Sequence, residues 1–290
     1  MISSKLCGGL GNQLFQIFTT ISYAIENSKP FFFLDNHQLG NGSNGSTIRY
    51  TYWNTFLSAL HPFLRNINEI PQLTYITENN FKYQELPKVD VLTKYGTLLV
   101  GYFQSPKYFN NYKDTIYKLL KIDLKKTTVK NKCCINFNET TYISAHFRFG
   151  DYKKYSNVYT LLTETYYKNA LNNILNENGL KEIKNEVKVL YFCENDSVDE
   201  VNEIINSLKY DFPNIYFIRV DPQLEDWEQM LLMSLCKHNI IANSTFSWWG
   251  AYLNSNQEKI VCYPSQWFST EANKDTSDLF LEEWKQIQIT

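Results

Sequence analysis

This 290-residue sequence lacks the features that mark several classes of protein. Its 28 Lys and Arg nearly balance 30 Asp and Glu, which gives a formal net charge of −2, and no basic run stands out. A general nucleic-acid-binding protein is therefore not expected. No apolar run approaches the roughly 20 residues that span a bilayer, and the first residues lack the pattern of a signal peptide. We expect a soluble, cytoplasmic protein without a membrane span, and peripheral association with a membrane stays open.

The cysteine spacing that is typical of metal and redox sites is also missing. None of the six cysteines, at positions 7, 133, 134, 193, 236 and 262, belongs to a C-x-x-C pair. Most of them have apolar neighbours in the sequence, which predicts reduced thiols in the core of the protein.

Strands that alternate with helices dominate the second half of the chain. Such alternation predicts a parallel, doubly wound sheet of the α/β class. The predicted strands cover 142–146, 187–193, 215–220, 240–242 and 260–263. The predicted helices cover 164–177, 197–208, 225–237 and 245–254, with a short amphipathic helix at 278–287.

The first half opens with a strand at 2–7, a glycine-rich turn, a helix and a second strand at 31–34. This order is typical of the start of a Rossmann-like half. Gly9 and Gly11 fit a dinucleotide fingerprint, but Leu14 replaces its third glycine, so NAD(P) binding is a weak alternative. The backbone N–H groups at the start of this helix would suit any anion.

Two polar stretches fall between the predicted helices and strands. Residues 36–48 are rich in Asn, Gly and Ser, which predicts a flexible surface loop. The polar run 123–132 is the best candidate for a boundary between domains.

A heptad near the middle of the chain, from His146 to Tyr152, has the sequence HFRFGDY and follows a short apolar strand. Its first and third residues share one face of that strand, so His146 and Arg148 can reach the same ligand. Arg binds phosphate oxygens in a bidentate way, and open α/β sheets bind ligands at the carboxyl ends of their strands. The alternative is that Arg148 forms an ordinary surface ion pair.

Two further stretches in the second half place polar side chains at the starts of helices. Asn243, Ser244 and Thr245 follow a buried strand, and hydroxyls there either cap the next helix or help to cradle a phosphate. Asp226 and Glu228 open the preceding helix, where acids suit the helix dipole. A carboxylate at that position could also accept hydrogen bonds from the N1–H and 2-amino groups of guanine.

Three blocks of sequence, in this order along the chain, are informative about function: residues 7–18 (CGGLGNQLFQIF), the heptad 146–152, and residues 236–254 (CKHNIIANSTFSWWGAYLN). Together they resemble the α-1,2-fucosyltransferases of glycosyltransferase family 11. The resemblance spreads over nearly the whole chain, and its last block is highly specific. Residues 166–170 (YYKNA) fit the family as well.

The resemblance implies an enzyme of glycan biosynthesis with a GT-B fold, that is, two Rossmann-like domains with the active site in the cleft between them. It implies GDP-L-fucose as the donor and a galactose-terminated glycan as the acceptor. Fucose would be transferred to the 2-OH of galactose with inversion at the anomeric carbon. We expect an acceptor-side domain at 1–125, a GDP-fucose-binding domain at 133–270 and a C-terminal helix within 271–290 that packs back on the body.

The resemblance also implies roles for individual residues. Arg148 would grip the β-phosphate and stabilise leaving GDP, while His146 would contact the nucleotide. Glu228 is the first choice for the guanine carboxylate and Asp226 the second. The remaining expected donor contacts are Gly9, Gly11, Asn12, Gln13, Asn243, Ser244, Thr245 and Phe246.

The chain departs from the family at Phe149, where a second Arg is common. Neighbouring side chains on a strand point to opposite faces, so Arg148 can still act alone. No Asp-x-Asp triplet, typical of metal-dependent glycosyltransferases, occurs in the sequence, so we expect no metal and no other cofactor. A base must take the proton of the acceptor hydroxyl. Asp151 and Asp35 are both candidates for this base, and Asp151 could instead orient Arg148.

Two other functions stay open on the sequence. The chain could be a GDP-sugar- or glycan-binding protein that has lost catalysis, with Phe149 as a trace of that loss. It could also be a transferase of the same fold that uses another GDP-sugar.

Overall fold

The computed structural model describes residues 1–41, 48–70, 72–89, 95–137, 139–177 and 186–290. The chain divides into two compact units. The first unit contains Met1–Lys125 and Lys274–Leu281, and the second contains Lys126–Asn273 and Glu282–Thr290.

The first unit is built on a three-stranded parallel sheet in the order β1-β7-β6. Helix α1 follows the first strand, and no charged residue interrupts it before its last position, so nearly all of it is buried. Two small sheets, β2 with β5 and β3 with β4, complete the unit. Its strands and helices are β1 Ile2–Ser4, α1 Leu10–Glu26, β2 Phe33–Leu34, β3 Gln38–Asn41, β4 Ile48–Tyr50, β5 Leu64–Arg65, β6 Leu73–Thr77, β7 Gly96–Val100 and α2 Lys113–Leu120.

The second unit is built on a six-stranded sheet in the order β10-β9-β8-β11-β12-β13, and every pair in it is parallel. The α/β class and the parallel sheet that the alternating pattern predicts are therefore confirmed. Every residue of β8 is buried, because helices and neighbouring strands surround it. The elements are α3 Ile122–Cys133, β8 Thr141–His146, α4 Glu164–Glu177, β9 Val187–Phe192, α5 Val198–Asp211, β10 Ile215–Arg219, α6 Asp226–Leu235, β11 His238–Ile240, α7 Thr245–Tyr252, β12 Val261–Pro264 and β13 Lys285–Ile287.

The predicted C-terminal helix at 278–287, within the segment 271–290, is wrong. The chain forms turns there and then strand β13, which pairs in parallel with β12. The edge of β12 offers backbone hydrogen bonds that a helix could not use, and Trp284 packs on Trp248 with ring centroids 5.5 Å apart. The apolar spacing that suggested a helix therefore reflects separate burial of side chains along a series of turns that ends in a short strand.

The two polar stretches have different outcomes. The division between the units falls after Lys125, inside the run 123–132 that was predicted as the boundary, although this run lies within helix α3 and is not an irregular linker. The predicted loop at 36–48 contains strand β3, which pairs antiparallel with β4. The part of that prediction that concerns residues 42–47 lies outside the described residues.

All six cysteines are free thiols, and Cys236 and Cys262 are buried. Across the described ranges, no helix combines the length and the apolar content that crossing a membrane requires.

Helices α6 and α7 pack closely at Gly250. A Cβ added there would lie 2.8 Å from the Cβ of Met233 and 2.9 Å from its sulfur. Only glycine allows this approach, which seats α7 against α6 and fixes the start of α7 beside the end of β11.

The substitution Gly250→Ala should therefore lower the free energy of unfolding by about 1–3 kcal/mol, because the new methyl group overpacks the contact with Met233. Urea denaturation followed by circular dichroism measures this. The matched control is the double variant Gly250→Ala, Met233→Gly, which removes both the Cβ and the sulfur of Met233 and should be less destabilised than the sum of the two single variants. Strict additivity would contradict the proposed clash.

Candidate functional site

The carboxyl ends of three neighbouring strands meet in the second unit. Strand β8 lies between β9 and β11, and all three run in parallel. The heptad follows β8, Glu194 follows β9, and Asn243 with its neighbours follows β11. The topology thus brings together three stretches that are far apart in the sequence, at the edge where open α/β sheets bind ligands.

Arg148 is the cation at the centre of this edge. Its Nη2 donates to Oδ1 of Asp151 at 2.6 Å, and its Nη1 donates to Oε1 of Glu194. Its guanidinium also lies 5.0 Å from the ring centroid of Tyr152. Only 18% of the side chain is exposed, so the ion pair is better shielded from water than a surface pair.

The electrostatics of this cluster combine burial with opposite charge. Burial works against the charge of Arg148, but Glu194, Tyr152 and Asp151 outweigh it and raise the pKa of the guanidinium overall. Burial also raises the pKa of Glu194, and Arg148 only partly offsets that effect. One cation therefore faces two carboxylates, and burial makes the charged form of one of them, Glu194, less favourable.

Tyr152 joins the loops that follow β8 and β11. Its hydroxyl donates to the carbonyl of Asn243 at 3.0 Å, and its ring stacks on Tyr159 with centroids 4.0 Å apart and planes 9° apart. Phe149, in the place where the family resemblance predicts a second Arg, is buried in the hydrophobic core of the unit. Arg148 is thus held by an aromatic side chain and two carboxylates.

His146 lies at the end of β8 and is buried. Its Nδ1 is 2.9 Å from Oγ of Ser247 in α7, and its ring lies 5.5 Å from that of Phe246. Burial, helped by the nearby charge of Arg148, lowers the pKa of His146 to about 3. His146 is therefore neutral at physiological pH and connects β8 to the start of α7.

The residues after β11 divide into an anchor and a cap. The side-chain amide of Asn243 is fully buried and donates to the carbonyls of Thr160 and Trp267 at 2.8 and 2.9 Å. The hydroxyl of Ser244 caps α7 by accepting from the N–H of Phe246 at 3.4 Å. Thr245 and Phe246 are partly exposed. Donor contacts by these residues stay a prediction, and the side-chain N–H groups of Asn243 are already used.

The two acids at the start of α6 are in different states. Glu228 is buried, and both of its carboxylate oxygens accept from Nζ of Lys132 at 2.7 Å. One of these oxygens also accepts from the backbone N–H of Glu225 at 3.0 Å. Asp226 is exposed and accepts from the N–H of Trp227 at 2.7 Å. Of the two acids predicted to bind guanine, Glu228 is already neutralised by a partner that the sequence did not indicate.

Side chains from the start of α1 contact the glycine-rich turn of the first unit and hold it in place. Gly8 has φ of +78°, and a Cβ there would collide with Asn12. The side chain of Gln13 is fully buried and donates to the carbonyls of Gly8 and Tyr50 at 3.0 and 2.8 Å. Gln13 therefore stabilises the turn, whereas its predicted contact with the donor is not tested.

Four more of the predicted residues lie near this turn or beyond it. Gly9 is the N-cap of α1, and Gly11 is buried in the first turn of that helix. Asn12 accepts from the side chain of Gln104 at 3.0 Å. Asp35 follows β2, and one of its carboxylate oxygens lies 3.6 Å from Nε2 of His37. All of these residues belong to the first unit, whereas Arg148 belongs to the second.

Sequence reasoning missed Glu194. The signal was present, because Glu194 directly follows a buried strand that alternates with helices, as the heptad does. Which strand would lie next to β8 could not be read from the sequence, so the carboxylate could not be paired with Arg148.

Comparison with models of protein families identifies the family of this chain. The model of glycosyl transferase family 11 matches residues 51–288, more than half of the chain. The chain belongs to this family. It is therefore a glycosyltransferase, and the resemblance seen in its three sequence blocks is confirmed.

Two curated relatives from Escherichia coli match almost end to end. One is the O-antigen biosynthesis glycosyltransferase WbnK, 28% identical over 97% of this chain and 98% of its own. The other is an alpha-1,2-colitosyltransferase, 28% identical over 99% of each chain. Among solved structures, a variant of Arabidopsis thaliana FUT1 in complex with GDP has a TM-score of 0.49 and 11% identity, and the match covers 94% of this chain and 71% of that one.

The buried state of His146 leads to a testable pH behaviour. Its pKa is lowered to about 3 in the folded protein, against about 6.5 for an ordinary histidine. The imidazole should thus stay neutral from pH 5 to 8, and this site should cost stability as the pH falls below about 6.5, because only the unfolded chain then binds the proton. Nitrogen NMR of the histidine rings, assigned with His146→Gln, measures this. A protonation midpoint between pH 5 and 7 for His146 would contradict it.

Proposed function

We propose that this glycosyltransferase transfers L-fucose from GDP-L-fucose to the 2-OH of a terminal β-galactoside, with inversion. The observation that supports this best is the placement of Arg148 where the ends of β8, β9 and β11 converge. A buried guanidinium at that edge suits a pyrophosphate. The motifs shared with α-1,2-fucosyltransferases support the donor sugar and the position of attack.

Departure of GDP is the step of the reaction that most needs stabilisation by the protein. The bond between the anomeric carbon and the β-phosphate oxygen breaks, so negative charge grows on the phosphate while the sugar becomes positive. In the proposal Arg148 binds the β-phosphate, and the N–H groups at the start of α7 add the positive end of a helix dipole. Asp151 holds Nη2 of Arg148 at 2.6 Å and acts as its positioning residue.

The acceptor must lose a proton as its oxygen attacks. Because Asp151 is engaged with Arg148, we assign the acceptor side to Asp35, whose carboxylate is 39% exposed. This assignment keeps the two carboxylates in separate roles.

Guanine recognition is assigned to the start of α6. Glu228 is bound by Lys132, so using it would require that pair to open. Asp226 is exposed and is the first residue of α6, next to the loop that follows β10. We therefore prefer Asp226 as the carboxylate that accepts from guanine.

A second donor deserves testing because one relative is named an alpha-1,2-colitosyltransferase. Colitose from GDP-colitose is the alternative sugar, with the same linkage and the same use of Arg148. Competition between the two donors under identical conditions separates these possibilities.

Arg148→Ala should fold but lose at least about a hundredfold in transfer, because removal of a preorganised charge at the leaving group costs that much in rate. The assay is GDP release from GDP-L-fucose with lactose or N-acetyllactosamine, with folding checked by circular dichroism. The matched control is Arg219→Ala, since Arg219 lies on edge strand β10 and donates to Asn195 at 2.6 Å. Full activity of Arg148→Ala would refute the mechanism, and binding of GDP-L-fucose without release by the wild type would favour a catalytically inactive protein.

We also propose that transfer needs no metal, since the sequence has no Asp-x-Asp triplet and Arg148 can supply the positive charge. Activity in EDTA should then stay within about twofold of the untreated value, because a chelator removes neither the charge of a guanidinium nor the dipoles of backbone N–H groups. A tenfold loss that Mn²⁺ restores would overturn this proposal.

A further inference from the structure

The protein's own carboxylates occupy both terminal nitrogens of Arg148. Nη2 donates to Asp151 and Nη1 donates to Glu194, while Nε is buried without a partner. A phosphate that binds Arg148 in a bidentate way needs two of these three nitrogens. Each terminal nitrogen carries a second N–H, so a phosphate that binds both of them must share each nitrogen with a carboxylate or displace that carboxylate.

The two carboxylates are not equally well held. Asp151 lies three residues after Arg148 and belongs to the same turn. Glu194 comes from the end of the neighbouring strand β9, and its second oxygen, Oε2, is buried without a hydrogen-bond partner. A buried carboxylate oxygen that lacks a partner costs free energy, so Glu194 is the partner that can leave at the lower cost.

The chain nevertheless has a place shaped for Glu194. A Cβ added to Gly150 would collide with Oε2 of this side chain. The backbone N–H of Gly150 donates to the hydroxyl of Ser197 at 3.1 Å, which ties the turn after β8 to the segment after β9. The absence of a side chain at position 150 lets the carboxylate approach the heptad.

We infer that Glu194 is a positioning residue of the transfer reaction: it holds Arg148 in place of the donor phosphate and is displaced when the donor binds. The inference rests on the proposed function, in which Arg148 binds the β-phosphate. Glu194 then keeps the guanidinium compensated and oriented in the empty site, at the expense of donor affinity.

The direction of the change in nucleotide affinity distinguishes this role from a purely structural one. If Glu194 competes with phosphate, loss of its charge strengthens nucleotide binding, whereas loss of a supporting group weakens it. The charged groups that act on Glu194 are Arg148 from the end of β8, Asp151 from the turn that follows, and Asp196 from its own loop. Burial raises the pKa of Glu194, so its competition should fade as the pH falls towards that raised pKa.

The test is calorimetric titration of GDP into the wild type and Glu194→Gln at pH 8 and pH 5.5. At pH 8 the variant should bind GDP about tenfold more tightly, as expected when a close charge competitor is removed. The ratio of the two affinities should shrink at pH 5.5, and because it is a ratio, protonation of GDP itself cancels. In transfer assays the KM for the donor should fall, while kcat should not rise.

The matched control is Glu200→Gln, which removes a carboxylate from an exposed pair with Lys153 and should leave GDP affinity unchanged. If Glu194→Gln fails to fold, Gly150→Ala displaces the same carboxylate and is judged by the same criterion. Equal or weaker GDP binding by the deciding variant would overturn the inference.

A wrong donor assignment would give a different experimental result from a wrong role for Glu194. If the wild type binds UDP or ADP and not GDP, the donor assignment is wrong, and the same comparison with the nucleotide that binds decides the role of Glu194. If neither the wild type nor the variant binds any nucleoside diphosphate, Glu194 has no phosphate to compete with and the inference is wrong.

Discussion

An arginine side chain that is four-fifths buried at the end of a central strand needs nearby negative charge, because an uncompensated charge in the protein interior is costly. Arg148 obtains that charge from Asp151 in its own turn and from Glu194 on the neighbouring strand. Much of the second unit can be understood from this requirement. The three strand ends must meet at one edge, and Gly150 must leave room for a carboxylate.

The surrounding fold holds this edge in place with neutral contacts. The low pKa of His146 keeps it uncharged next to Arg148, where a second cation would be unfavourable. Its contact with Ser247 fixes the start of α7, and the close approach at Gly250 fixes the body of that helix. Positive charge is thus concentrated on one side chain, while the helix start contributes its N–H groups without adding a formal charge.

Periodicity and strand–helix alternation were sufficient to predict the parallel sheet and to place Arg148 at its carboxyl edge. They were not sufficient where the outcome depends on contacts distant in sequence. Glu194 and Lys132 were missed for this reason, since each pairs with a residue many positions away. The segment at 278–287 was predicted as a helix because its apolar spacing is helical, but most of it forms turns, and only Lys285–Ile287 pairs with the edge of β12 as a strand.

The most direct test of the account is a crystal structure of the protein with GDP bound. With GDP bound, two of the three side-chain nitrogens of Arg148 should contact oxygens of the β-phosphate, Asp151 should stay in contact with Arg148, and the carboxylate of Glu194 should have withdrawn from it. A structure in which GDP is bound elsewhere, with the pairs from Arg148 to Asp151 and Glu194 both intact, would contradict the account.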